Sequence, residues 1–115
     1  MRVESRVRVH SSRFLLVVSA LLCLGVASCR KPQPHTVTLT WHAPPSVSGV
    51  TIVGYNVYRK TSYAGEFVRI ASRVQTPLYE DRLILNDRTY IYAVTAVDQA
   101  GRESRFSGEV QAVIP

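Results

Sequence analysis

The clearest strand signal in this sequence is residues 88–98, RTYIYAVTAVD, and it decides the fold. Aromatic and β-branched residues dominate the run, which is typical of a strand. Turn-forming residues bound it at both ends, Asn86-Asp87 before it and Gln99-Ala100-Gly101 after it. Because side chains alternate across a strand, the run predicts one buried face made of four residues: Tyr90, Tyr92, Val94 and Ala96.

Shorter segments of the same type lie on both sides of this run. The segment 35–41, HTVTLTW, alternates threonines with larger apolar residues, as a half-buried strand does. No window after the first 28 residues shows sustained helical periodicity. Further strands are predicted over residues 54–60, 66–71 and 106–114, and from Pro77 onward. Six short strands at regular spacing, with turn chemistry between them, predict an all-β sandwich.

The core of this sandwich must be held by packing alone, because the sequence offers no disulfide between the sheets. Tyr90 begins a strand directly after a turn, so its ring can be buried while its hydroxyl reaches a backbone group. We predict a structural core that includes six residues: Trp41, Tyr55, Val57, Tyr79, Tyr90 and Val94.

Over residues 35–115 the chain resembles a fibronectin type III domain of the bacterial kind. The resemblance rests on Trp41 at the end of one strand, on residues 54–59 (GYNVYR), on Tyr79 followed by Asp81, and on residues 98–104 (DQAGRES). The absence of an inter-sheet disulfide favours this family over antibody-type domains. The resemblance implies a β-sandwich that serves as a non-catalytic spacer or binding module.

The sequence departs from the family at its first strand, strand A. Only six residues lie between Cys29 and Thr36, and two of them are prolines. We therefore expect strand A to be short or missing, which leaves the edge of the following strand open to another chain. The alternative is that Pro34-His35-Thr36 covers part of this edge, or that the prolines block pairing.

The first 28 residues have the layout of an export signal. Four arginines precede a 13-residue apolar stretch, Phe14–Val26, and small residues follow. An uncleaved membrane helix needs about 20 apolar residues, so this stretch is too short for one.

The end of this signal, Val26-Ala27-Ser28-Cys29, resembles the bacterial lipobox. The resemblance implies cleavage after Ser28 and acylation, for example with palmitate, of Cys29. The alternative is ordinary signal cleavage after Ala27 or Ser28, which leaves a free thiol. The predicted organisation is a signal peptide over residues 1–28, a lipidated tether over 29–34 and a domain over 35–115.

The net charge and the residue that follows Cys29 are both consistent with a protein of the cell envelope. The first 28 residues hold four of the 14 basic residues and one of the eight acids, so the remainder carries a net charge of +3. That excess is no argument for nucleic acid in an exported protein. Arg30 follows the predicted acylated cysteine. At this position it resembles a sorting signal for the outer membrane rather than for the inner membrane.

The residues contain no recognisable catalytic motif, and we predict no enzyme activity, no cofactor and no metal. His35 and His42 flank one strand at an odd spacing, which places them on opposite faces. We predict a candidate binding surface of five residues: Tyr58, Arg59, Lys60, Tyr63 and Arg69. The alternative is an ordinary solvated sheet face. The leading function is interaction with a protein partner in the envelope, and the alternative is association with carbohydrate or cell wall.

Overall fold

The computed structural model describes residues 5–10 and 35–115, which form strands and their connections. It confirms the predicted all-β sandwich, with the strands β1 (Ser5–His10), β2 (Thr36–Trp41), β3 (Ile52–Lys60), β4 (Val68–Val74), β5 (Leu78–Asp81), β6 (Arg88–Asp98) and β7 (Val110–Ile114). One sheet has the order β1-β2-β5 and the other the order β4-β3-β6-β7, and every pairing is antiparallel. Within the described residues no helix is long and apolar enough to cross a bilayer.

The core lies between the two sheets. Trp41 from β2 meets Tyr55 from β3 edge to face, with ring centroids 5.4 Å apart. Leu39 and Val57 are fully buried beside them. Of the residues proposed from sequence as core, the structure buries Trp41, Tyr55, Val57, Tyr90 and Val94, and it places Tyr79 half-buried against the same cluster.

Strand β6 is the centre of the larger sheet. It pairs with β3 on one side and with β7 on the other. Its residues are buried on both faces from Tyr90 to Asp98, which explains its continuous apolar run. The hydroxyl of Tyr90 accepts a hydrogen bond from the backbone N–H of Leu85 at 2.9 Å. This bond fixes the connection between β5 and β6 against the start of β6.

Strand β1 is where the structure differs from expectation. The edge of β2, expected to be open or only partly covered, is paired along its whole length with Ser5–His10. A short extended segment therefore takes the place of strand A, and it comes from within the stretch interpreted as an export signal. The physical reason is that unpaired N–H and C=O groups on an edge favour any extended segment within reach. Sequence reasoning considered only the residues directly before Thr36.

Strands β3 and β4 approach each other closely at Gly54. A Cβ atom at this position would lie 2.9 Å from the Cα of Arg73, so only glycine fits. Arg73 itself has a left-handed backbone, with φ of 51°, and its N–H donates to Oδ1 of Asn56 at 3.0 Å. The register between β3 and β4 shifts here, and Asn56 is held in a buried position by that shift.

The sandwich has two ends, which we call the upper and the lower pole. The upper pole consists of the connections 42–51, 75–77 and 99–103. The lower pole consists of His35, the connections 61–67 and 82–87, and Pro115, whose carbonyl accepts a hydrogen bond from the N–H of Asp87. The two poles are separated by the length of β2, about 20 Å.

Candidate binding face

Three aromatic rings gather on the outer surface of the larger sheet. The ring of Phe106 lies 4.9 Å from that of Tyr58, at 90°, and 5.0 Å from that of Phe67, at 34°. Phe106 is 49% exposed. We call Tyr58, Phe67 and Phe106 the aromatic face.

Tyr58 is anchored at this face by a carboxylate. Its hydroxyl lies 2.9 and 2.8 Å from the two oxygens of Glu103, and the side-chain amide of Asn56 also donates to Glu103. Arg69 reaches within 3.8 Å of the same carboxylate. Burial, followed by the hydrogen bond and the charge of Glu103, raises the pKa of Tyr58. Tyr58 therefore stays a protonated donor, and Glu103 has a fixed orientation.

The lower margin of the aromatic face is also polar. The ammonium group of Lys60 lies 4.4 Å from the centroid of the Phe67 ring and 2.8 Å from a carboxylate oxygen of Glu109. Lys60 is only 8% exposed, so its charge interacts with groups of the domain itself and not with solvent. Tyr63 lies in the turn beside it, largely exposed, and its hydroxyl donates to Oε1 of Gln111 at 2.8 Å.

Arg59 does not belong to this surface, and its assignment to it is wrong. Its guanidinium lies 5.1 Å from the centroid of the Tyr90 ring and 2.7 Å from Oδ2 of the buried Asp81. The reason is the alternation of side chains along β3, which sends Arg59 to the face opposite Tyr58 and Lys60. Tyr58 is itself part of the aromatic face, and Lys60, Tyr63 and Arg69 lie at its margin.

Sequence reasoning missed four residues of this site: Asn56, Phe67, Glu103 and Phe106. Phe106 was assigned to a strand, whereas it lies in the irregular segment that precedes β7. That segment is held beside β6 by hydrogen bonds such as Ser107 N–H to Val94 O, at 2.8 Å. No local signal links these residues to Tyr58, because the pairing of distant strands brings them together.

The upper pole carries a separate depression. It is an open cavity of about 600 Å³ between the connection 43–51 and the start of β3, with Tyr55 and Gln75 among its walls. Its mouth is apolar, since Val47 and Val50 are exposed there. Among residues 5–10 and 35–115 there is no group of three or more His, Cys, Asp or Glu that could hold a metal ion.

No family model matches the sequence. The crystal structure of an Fn3-like protein from Clostridium thermocellum superimposes with a TM-score of 0.59 and 32% sequence identity, over 70% of this chain and 77% of that one. The chain belongs to the fibronectin type III family. A β-1,2-glucanase from Parabacteroides distasonis contains a region of similar structure, with a TM-score of 0.58 and 28% identity, over 70% of this chain and 11% of the enzyme.

Curated relatives of this fibronectin type III domain are also parts of enzymes. An amylopullulanase from Thermoanaerobacter thermohydrosulfuricus is 48% identical in an alignment of 91 residues that covers 70% of this chain. An amylopullulanase from Thermoanaerobacterium thermosulfurigenes is 39% identical over 59 residues, which is 51% of this chain. The chain spans only 6% and 3% of these two enzymes. A fibronectin type III domain is a non-catalytic module type, and in these relatives it is a small part of the whole.

Proposed function

We propose that this chain is a non-catalytic lipoprotein of the cell envelope whose aromatic face binds α-glucan. Acylated Cys29 anchors it, residues 29–34 form the tether, and the fibronectin type III domain is displayed on the membrane. The observation that carries the glucan assignment is the half-exposed ring of Phe106, packed between Tyr58 and Phe67 and edged by polar groups.

The chemistry of this surface suits a sugar. A pyranose ring has a flat apolar face and a rim of hydroxyls, and it is held best by an aromatic ring flanked by a few fixed polar groups. Glu103 supplies oriented acceptors, and Arg69 and Gln111 supply further polar groups close to the rings. The amylopullulanase relatives support a glucan, with pullulan as the first one to test.

Affinity electrophoresis of the folded chain through a gel containing pullulan tests the glucan assignment. We expect the wild-type chain to be retarded and Phe106→Ala to migrate as in a gel without polysaccharide. Leu83→Ala is the matched control, because Leu83 is also an exposed apolar residue but lies at the lower pole. Equal migration of the wild type with and without pullulan overturns the glucan assignment.

A protein partner is the second candidate, and the mixed charges around the aromatic face favour it. Tyrosine and arginine are enriched at the centres of protein interfaces, and Tyr58 and Arg69 are adjacent here. A photo-crosslinking amino acid at position 106, introduced in cells, would then give a discrete higher-mass band. The same label at position 47, in the upper pole, is the control. A crosslinked band that appears only with the label at position 106, together with no retardation by pullulan, would mean that the aromatic face binds a protein rather than a glucan.

The anchor is tested separately. Mass spectrometry of the protein purified from the membrane fraction is expected to find an acylated N-terminal peptide beginning at Cys29. Arg30 and Lys31 would lie beside the acyl chains, where they strengthen attachment to anionic headgroups. An unmodified terminus, or a terminal peptide that contains Cys23, contradicts the lipoprotein assignment without affecting the glucan test.

A further inference from the structure

We infer that the lower pole rests on the bilayer, with Leu83 and Leu85 in the headgroup region. This inference rests on the proposed lipid anchor. The two leucines are 85% and 63% exposed, whereas Ile84 between them packs half-buried against the core. Two neighbouring leucines displayed at one end of a small domain mark a surface that meets an apolar environment.

The backbone that displays these leucines is held in place. The N–H of Leu83 donates to Oδ1 of Asp81 at 3.1 Å, and its carbonyl accepts from Arg59 at 2.9 Å. The N–H of Leu85 donates to the hydroxyl of Tyr90 at 2.9 Å. The side chains therefore cannot fold back into the core without the loss of three hydrogen bonds. Their exposure is a property of the fold.

The tether leaves the domain at this same pole. Val37 pairs with Asp81, so the start of β2 lies beside the start of the connection that carries the leucines. Six residue steps separate His35 from Cys29, which is about 20 Å when fully extended. That length is comparable with the domain itself, so the acylated cysteine holds the lower pole close to the lipid surface.

The charges of the lower pole neither repel a membrane nor account for attraction to one. Arg82 pairs with Glu80 at 2.7 Å, and the exposed Arg88 stands next to the exposed Asp87. These four charges balance, and the exposed Glu66 in the connection 61–67 leaves one negative charge over, which gives no attraction to an anionic surface. Association of the lower pole with the bilayer therefore depends on burial of the two leucine side chains, as it does for the apolar side of an interfacial helix.

A bilayer fits this surface better than a second protein does. A specific protein interface buries roughly 800 Å² on each partner. Two leucine side chains offer far less, and the groups around them are charged and solvated. A lipid surface needs no shape complementarity, and the tether supplies the attachment. In this orientation the cavity at the upper pole points away from the membrane, and the aromatic face lies sideways and accessible.

The experiment uses the anchored protein reconstituted in phosphatidylglycerol–phosphatidylethanolamine vesicles. The phospholipids are brominated near the headgroup end of their acyl chains, so that they quench tryptophan emission on contact. Two variants add a tryptophan at exposed valine or leucine sites, Leu85→Trp at the lower pole and Val47→Trp at the upper pole. The anchored protein without an added tryptophan gives the emission of Trp41, which is subtracted. Thermal melts of both variants verify that they are folded.

We expect brominated lipid to quench most of the added emission of Leu85→Trp and little of that of Val47→Trp. Equal quenching, or quenching of Val47→Trp alone, overturns the orientation. If Leu85→Trp is shielded from aqueous iodide but is not quenched by brominated lipid, a protein covers the lower pole. That result also overturns the orientation. The N-terminal mass spectrum of the same sample separates the two proposals. If Cys29 is not acylated, both the lipid anchor and the orientation on the bilayer are contradicted. If Cys29 is acylated but Leu85→Trp is not quenched, only the orientation is contradicted.

Discussion

Arg59 and Asp81 form a salt bridge of 2.7 Å between Nη1 and Oδ2, and Asp81 is only 2% exposed. The same carboxylate oxygen accepts a hydrogen bond from the buried hydroxyl of Tyr92, also at 2.7 Å. Burial, followed by the hydrogen bond and charge of Asp81, raises the pKa of Tyr92, which therefore remains a donor. This cluster fixes the connection with Leu83 and Leu85, and it holds Arg59 away from the aromatic face.

Asp81→Ala is expected to lower the free energy of unfolding by about 3 kcal/mol, because it leaves a partly buried guanidinium and a buried hydroxyl without their shared acceptor. Urea denaturation measures the loss. Glu80→Ala is the matched control, since the Glu80–Arg82 pair is exposed and is expected to contribute at most about 1 kcal/mol. Similar losses for both variants would mean that the buried cluster adds nothing to stability.

Gly54→Ala is expected to cost on the order of 1–3 kcal/mol through overpacking. The added Cβ would lie 2.9 and 3.0 Å from backbone atoms of Arg73, and backbone cannot rotate away as a side chain can. Gly108→Ala is the control, because a Cβ there meets nothing within 4 Å. Thermal or urea melts compare the two. Equal stability of Gly54→Ala and the wild type would show that β3 and β4 separate readily at this point.

Asp98 makes stability depend on acid pH. Hydrogen bonding from the backbone N–H of Arg102 lowers the pKa of Asp98 below its ordinary value of 3.8, and the Arg102 guanidinium adds to this. A carboxyl with a lowered pKa stabilises the fold above its unfolded pKa and loses that contribution as pH falls through its folded pKa. The stability difference between wild type and Asp98→Asn should therefore be full above pH 4 and shrink below it. A difference that stays constant from neutral pH to acid would contradict the assignment.

Hydrogen exchange tests the role of β1 at the edge of β2. The N–H of Trp41 bonds to the carbonyl of Pro77 at 3.2 Å, so alternate amides of β2 point towards β5 and those of Thr38 and Thr40 point towards β1. Full-length chain made without export should protect Thr38 and Thr40. If the chain is cleaved before Cys29 as proposed, the product lacks residues 5–10 and should exchange these two amides faster, while Leu39 and Trp41 keep their protection. Equal protection in both forms would mean that another strand covers the edge after processing.

Much of the fold was predictable because it depends on local patterns. Alternation in residues 35–41 identified a strand and its buried face, and the run 88–98 identified a second strand and one of its two buried faces. The turn residues between them indicated a sandwich. Strand bounds were less accurate. The last strand was predicted from residue 106 but begins at Val110, because the preceding residues bond to β6 irregularly. Such bonding depends on the neighbouring strand and leaves no trace in local composition.

The candidate site was only partly predictable, since its members come from distant parts of the chain. Alternation along β3 places Tyr58 outward, but Phe106 and Glu103 reach it only through the pairing of β3 with β6 and the path of the segment after β6. The same limit applies to β1. An edge strand is chosen by which extended segment can reach the open hydrogen-bonding groups, and no local rule states which one that is.

The sequence by itself determined the fold class, the positions of most strands and a core built around Trp41 and Tyr90, because period-two alternation and turn chemistry act over a few residues. Only the tertiary structure decided which side chains share a surface. It paired Arg59 with the buried Asp81, assembled Tyr58 with Phe106, and put Leu83 and Leu85 at the pole where β2 begins. The physical reason is that strand pairing and register, which act over long separations in sequence, determine which residues become neighbours.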